Sequence, residues 1–328
     1  YTSTPAGLFI NSTTGTITPS TSAPGNYVIT YTIVASGGCA QVTATTTIII
    51  NPIPVATAIQ SANTICSLSS TTISLSSNLV GTTFNWTTIQ TNATGATNGS
   101  GNLIGQTLTN SSFTPGNVIY EITPTSNGCV GSPIQSTVIV NPIPDAIANP
   151  NSQNICSGQS TSINLTGNVL GTTFNWTVNQ TDIVGANPGS GNSINQILNS
   201  NSTNFGIADY TLVPTANNCI GNPISVRINI TPKPVIVATP NQQLICSGDT
   251  IIPINLTSNI TGTTYNWSVI QTNANGASNG FGSTISQTLT NNNSIQGEVL
   301  YNINSILNNC PGNSTTALVK VNPIPPAP

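Results

Sequence analysis

The sequence predicts an all-β protein built as a tandem array of β-sandwich domains, and three observations predict it. First, a seven-residue stretch, Gly-Thr-Thr-Phe/Tyr-Asn-Trp-Thr/Ser, occurs at residues 81–87, 171–177 and 262–268. Its aromatic residues alternate with short polar ones, the period of a strand with one buried face. Second, cysteines recur with a fixed period: Cys66, Cys156 and Cys246 fall 90 residues apart, and Cys129, Cys219 and Cys310 follow them after 63, 63 and 64 residues. Third, no stretch carries helical apolar spacing, whereas short apolar alternations separated by turn residues run throughout.

The chain in order justifies each element. Residues 1–52 read as the C-terminal part of a sandwich of a different type. Residues 7–11 and 14–18 suggest two short strands about a turn, and Tyr27, Ile29, Tyr31 and Ile33 share one face of a longer strand. Three full units follow, over 53–143, 144–233 and 234–328, the last including the start of a further link. In each, a strand after the first cysteine carries Ile73/Leu75, Ile163/Leu165 or Ile254/Leu256. The aromatic strand comes next, and it holds all three tryptophans, Trp86, Trp176 and Trp267. A Trp on a strand downstream of a Cys is how an immunoglobulin-like sandwich centres its core, so these three are expected in the core.

Gly/Asn/Ser stretches at 90–102, 180–192 and 271–283 follow, with glycines at matching places: Gly95, Gly185 and Gly276, then Gly99, Gly189 and Gly280. Glycines so placed are expected to supply backbone angles that other residues avoid. The next strand reads Ile-x-Gln-x-Leu around Gln106, Gln196 and Gln287. At period two the Gln shares the apolar face, which predicts a partly buried amide with its hydrogen bonds satisfied. Tyr120, Tyr210 and Tyr301 then lie on the penultimate strand as core residues, in the manner of a tyrosine corner. Each unit closes on a link such as Asn51-Pro52-Ile53-Pro54. Proline cannot donate to a sheet ladder, so it ends the last strand, and two prolines stiffen the connection.

The simplest reading of the cysteine spacing is one disulfide per unit: Cys66–Cys129, Cys156–Cys219 and Cys246–Cys310, with Cys39 paired upstream of Tyr1. Regular pairs imply an oxidising, extracellular compartment.

Composition excludes most chemistry. The chain has three Lys+Arg, six Asp+Glu, no His and a net charge of −3. Without His there is no Ser-His-Asp machinery and no zinc site of the usual kind. The six acids, Glu121, Asp145, Asp182, Asp209, Asp249 and Glu298, fall at inequivalent places in the units, which argues against paired catalytic carboxylates or a calcium cluster. No basic patch suits nucleic acid, and no apolar run reaches membrane-spanning length. The expectation is therefore a non-enzyme with no cofactor and no metal. Asn-x-Ser/Thr sequons (Asn11, Asn85, Asn92, Asn175, Asn266 and others) follow from a composition rich in Asn and Thr.

Ile-Cys-Ser-Gly at 155–158 and 245–248, the Asn-Trp strand, Asn-Gly-Cys at 127–129 and the closing Asn-Pro-Ile-Pro resemble the PKD-like repeats of giant secreted surface proteins of Bacteroidota. Residues 5–50 are similar to the immunoglobulin-like repeats of the same proteins, of which gliding-motility adhesins of the SprB type are the best known. The resemblance implies type IX secretion, a cell-surface location, and a structural or adhesive role in a long filament. Surface polysaccharide, other surfaces or copies of the chain itself would be its partners. Asp249-Thr250-Ile251 resembles the short O-glycosylation motif of that phylum, with Thr250 as acceptor. The alternatives are a spacer array, or a carbohydrate-binding module using the Gly/Asn stretches, in a secreted polysaccharide-degrading enzyme.

Overall fold

The structure is a computed structural model that describes residues 1–324; Pro325–Pro328, with the end of the last expected link, lie outside the described residues. It is all-β apart from a three-residue 3-10 turn at Pro19–Thr21. The chain forms two compact units: Tyr1–Ile143 with Asn217–Cys219, and Pro144–Ala216 with Ile220–Pro328.

In the first unit, residues 1–50 form a three-stranded sheet of Thr2–Thr4, Gly25–Ile33 and Val42–Ile50. Leu8, Tyr27, Ile29 and Ile50 make a small core. Of the four residues expected on one face of Gly25–Ile33, Tyr27 and Ile29 are buried, while Tyr31 and Ile33 are exposed.

The first full repeat is a sandwich of two sheets. One holds Ala56–Gln60, Ser69–Ser77 and Leu103–Leu108. The other runs in the order Thr64–Cys66, Ile134–Asn141, Gly116–Ser126, Thr83–Thr91 and Gly99–Ser100. Its neighbours are antiparallel except at one edge, where Thr64–Cys66 lies parallel to Ile134–Asn141 with Cys66 level with Asn141. Alternation makes the core: Val118, Tyr120 and Ile122 on the long strand, Phe84 and Trp86 on the aromatic strand, and Ile73, Ile104 and Leu108 from the facing sheet are all buried. Each such side chain leaves water on one side only because its neighbours in sequence point outward, which is why period two suffices to specify the layers.

The second unit repeats this architecture twice. Ser152–Cys156 lies parallel to Ile224–Thr231, and Gln242–Cys246 parallel to Cys310–Asn322. The long strands Gly206–Ala216 and Gly297–Leu307 carry the buried Tyr210 and Tyr301 against Trp176 and Trp267.

Candidate functional site

A polar clamp pins the core of every repeat. Tyr120, Tyr210 and Tyr301 are fully buried, and each donates its phenol across the sandwich to the side-chain oxygen of Gln106, Gln196 or Gln287, at 3.0, 2.7 and 2.9 Å. The same Gln oxygen accepts the backbone N–H of Thr97, Asn187 or Ser278, and the amide nitrogen donates back to that residue's carbonyl. That carbonyl also accepts the indole N–H of Trp86, Trp176 or Trp267 at 3.1–3.2 Å. The Gln amides are thus satisfied by protein, and the clamp locks the Gly/Asn/Ser stretch onto the core. Burial pushes the three tyrosine pKa values up to about 12.

Two expectations about these residues change. The three tyrosines are not tyrosine corners, because their hydroxyls bond a Gln side chain instead of backbone upstream; the corner geometry occurs at Tyr27, whose hydroxyl donates to Ala23 O at 2.7 Å. Gly95, Gly185 and Gly276 do adopt positive φ, but Gly99, Gly189 and Gly280 do not. The latter are glycines because a Cβ there would stand 2.5–2.8 Å from the Trp six-membered ring.

The cysteines require a larger correction. The structure does not pair Cys66 with Cys129, Cys156 with Cys219, or Cys246 with Cys310. It bonds Cys66 to Cys219 and Cys156 to Cys310, with Cα–Cα separations of 5.6 and 5.4 Å. The reason is sheet geometry. Cys66 stands level with Asn141, the last residue of Ile134–Asn141, whereas Cys129 sits in the hairpin before that strand begins. Eight strand residues at roughly 3.3 Å each place these two cysteines at opposite ends of the sheet, about 25 Å apart, far beyond disulfide reach. The edge-strand cysteine of one repeat instead meets the hairpin cysteine of the next. Asn141 Nδ2, beside Cys66, donates to Asn217 O at 3.1 Å in the same contact. The spacings 153 and 154 are as regular as 63 and 64, so spacing in the sequence fits either pairing and only the sheet register decides between them. Cys39, Cys129 and Cys246 are unbonded, and Cys39 is exposed in the turn between Gly25–Ile33 and Val42–Ile50.

Little else gathers. Among the described residues no group of three or more His, Cys, Asp or Glu is placed to hold a metal ion. Asp209 forms an exposed ion pair with Arg227, whose hydrogen bond lowers the carboxyl's pKa. Of the Gly/Asn stretches, only the third presents an aromatic ring: Phe281 is 87 % exposed beside a shallow groove of about 380 Å³ lined by Tyr265, Asn266 and Ser283. The equivalent strand residues in the other repeats are Ser100 and Ser190. Thr250 is exposed and its hydroxyl shares a 2.7 Å hydrogen bond with that of Thr288. Asn11, Asn85, Asn92 and Asn175 are exposed, and Asn266 is half-buried.

Comparison with solved structures returns chains of several domains in tandem. The N-terminal eight immunoglobulin domains of Down syndrome cell adhesion molecule match at 12 % identity and TM-score 0.40, over 97 % of this chain and 43 % of that one. Mouse cadherin-23 EC22-24 matches at 12 % identity and TM-score 0.35, over 83 % and 99 %. Three N-terminal domains of the bacteriophage RB49 outer capsid protein Hoc match at 8 % and 0.35, over 83 % and 100 %. No curated protein matches. The two disulfides fit an oxidising, extracellular compartment. A family model, the PKD-like domain, matches residues 63–144, 153–234 and 243–325, well over half of the sequence. The chain belongs to the PKD-like domain family, as three repeats in tandem.

Proposed function

We propose that this chain is a structural and adhesive segment of a long secreted cell-surface filament or adhesin, in which stapled repeats carry tension. The observation that carries this reading is the stagger of the disulfides. Pulled from its ends, the shortest covalent path runs to Cys66, across to Cys219, back along the chain to Cys156, across to Cys310 and out. The staples shield about 180 residues from extension, of the order of 600 Å of chain, and no repeat between them can be drawn out alone. A surface nearly without charge, on which no group of three or more His, Cys, Asp or Glu gathers among the described residues, favours a mechanical role over a catalytic one. Attachment to surface polysaccharide, to other surfaces or to copies of itself, a part in gliding, and glycosylation at Thr250 belong to this proposal.

Deleting the segment in the source organism tests it. Loss of surface attachment or gliding, with secreted polysaccharide hydrolysis unchanged, is the expected result. Unchanged attachment with impaired hydrolysis would replace the proposal by the second reading, a spacer or carbohydrate-binding array of a secreted enzyme. The exposed Phe281 beside Asn266 is the observation that favours the second reading.

A further inference from the structure

The three repeats carry identical staple parts, and only some are used. Each edge strand ends in a cysteine level with the end of the closing strand: Cys66 with Asn141, Cys156 with Thr231, Cys246 with Asn322. The residue after each donates its N–H to that partner's carbonyl, at 2.8–2.9 Å in all three (Ser67, Ser157, Ser247). Each hairpin cysteine follows two residues of positive φ, Asn127-Gly128, Asn217-Asn218 or Asn308-Asn309, so the turn presents it identically. Cys66 and Cys156 are bonded and Cys246 is exposed and unbonded; Cys219 and Cys310 are bonded and Cys129 is not.

The surroundings of the unused halves repeat those of the used ones. Asn51 Nδ2 donates to Asn127 O at 3.3 Å, as Asn141 does to Asn217 O, and Cys129 Sγ lies 3.9 Å from Asn51 O. Among the described residues, Val42–Ile50 is paired along one edge only. In every full repeat the other edge of the closing strand holds the parallel strand that ends in the stapling cysteine.

We propose that Cys246 and Cys129 are complementary open halves of one periodic staple. Cys246 bonds the hairpin cysteine of a further PKD-like repeat joined in register after residue 324. Cys129 bonds a cysteine on a strand laid parallel to Val42–Ile50. Each bond forms by exchange with a small disulfide such as oxidised glutathione. One thiol loses its proton, attacks the disulfide and expels a glutathione thiolate. The second thiolate then attacks the mixed disulfide and expels the other. Two protein thiols are oxidised and one glutathione disulfide is reduced to two thiols. The proposal stands apart from the tension-bearing role, since it concerns pairing alone.

The test extends the full chain: residues 1–324 followed by a second copy of residues 144–233, which preserves the Ile–Pro joint of Ile143–Pro144. After oxidation with glutathione, free thiols are alkylated and the unreduced protein is digested with pepsin and mapped. Cys246, alkylated in the 328-residue chain, is expected in a peptide linked to the Cys219 sequence. Cys246→Ser is expected to leave one of the two Cys219 copies alkylated. Cys246 found alkylated while Cys66–Cys219 is intact, bonded to Cys310, or bonded between two molecules would overturn the proposal. Should the extended chain lack the Cys66–Cys219 control bond, the polypeptide isolated from its source is mapped in the same way. Cys246 linked there to an Asn-x-Cys hairpin sequence upholds the proposal, and Cys246 free or linked to Cys310 overturns it.

Discussion

Removing a cysteine from the second repeat should destabilise the third. Cys156 lies outside the third repeat, yet its bond partner Cys310 begins that repeat's closing strand. When the third repeat unfolds alone, the folded second repeat still holds Cys156, so the chain from Thr231 to Cys310 becomes a closed loop of about 80 residues. In the chain-entropy model such a closure is worth about 4.5 kcal/mol at 25 °C, a little over three decades in the opening equilibrium. Cys156→Ser is therefore expected to lower protection of the amides in Gly297–Leu307 by about three orders of magnitude, read by hydrogen exchange with mass spectrometry. Cys246→Ser removes an exposed, unbonded thiol and should leave the same amides unchanged. Pairing within repeats predicts the reverse for both variants. The reverse outcome would refute the stagger. Trypsin gives an independent check, because Arg227 and Lys320 are its sites and Lys233 is blocked by Pro234. Digested unreduced and denatured, residues 1–227 and 228–320 stay joined through Cys156–Cys310, whereas within-repeat bonds would let them separate.

Three further outcomes follow from the cores. Thr71 is buried with its hydroxyl unpaired, whereas the equivalent Thr161 bonds Ile194 O and Gln196 N, and Ile251 stands there in the third repeat. Thr71→Val should stabilise its repeat by about 1 kcal/mol and Thr161→Val should destabilise by a similar amount, both measured by denaturant midpoints. Gln196→Leu strands the buried Tyr210 hydroxyl and two loop hydrogen bonds, costing about 3 kcal/mol against about 1 kcal/mol for Tyr210→Phe; equal losses would contradict the clamp. Phenols whose folded pKa is about 12, against 10.0 unfolded, keep protons that the unfolded chain releases. Stability from this source is whole below pH 10 and is lost as pH rises through 12, of the order of 2 kcal/mol per repeat. Unfolding midpoints of thiol-alkylated protein between pH 9 and 12 measure it, with Tyr210→Phe flattening the profile of the second repeat.

In the three full repeats the sequence by itself determined the layers and their contents, whereas on Gly25–Ile33 the same alternation left Tyr31 and Ile33 exposed. Period-two alternation places Trp176 and Tyr210 inside and Asn175 and Thr177 outside whatever the topology, because each strand residue can face only one way. It also placed Gln196 on the apolar face, where an amide must find partners. Other features depended on atoms far apart in the chain. Gly189 is small because the Trp176 ring lies against it, which a glycine in a polar stretch does not announce. Tyr210 reaches Gln196 instead of nearby backbone because the facing sheet brings that amide within 2.7 Å. The disulfides are the clearest case. In a chain of equal repeats every consistent pairing rule gives regular spacings, so cysteine positions alone cannot choose among them. The parallel register of Ser152–Cys156 on Ile224–Thr231 puts Cys156 at the end of its sheet opposite its own hairpin, and only in three dimensions does the next repeat's cysteine become the one in reach.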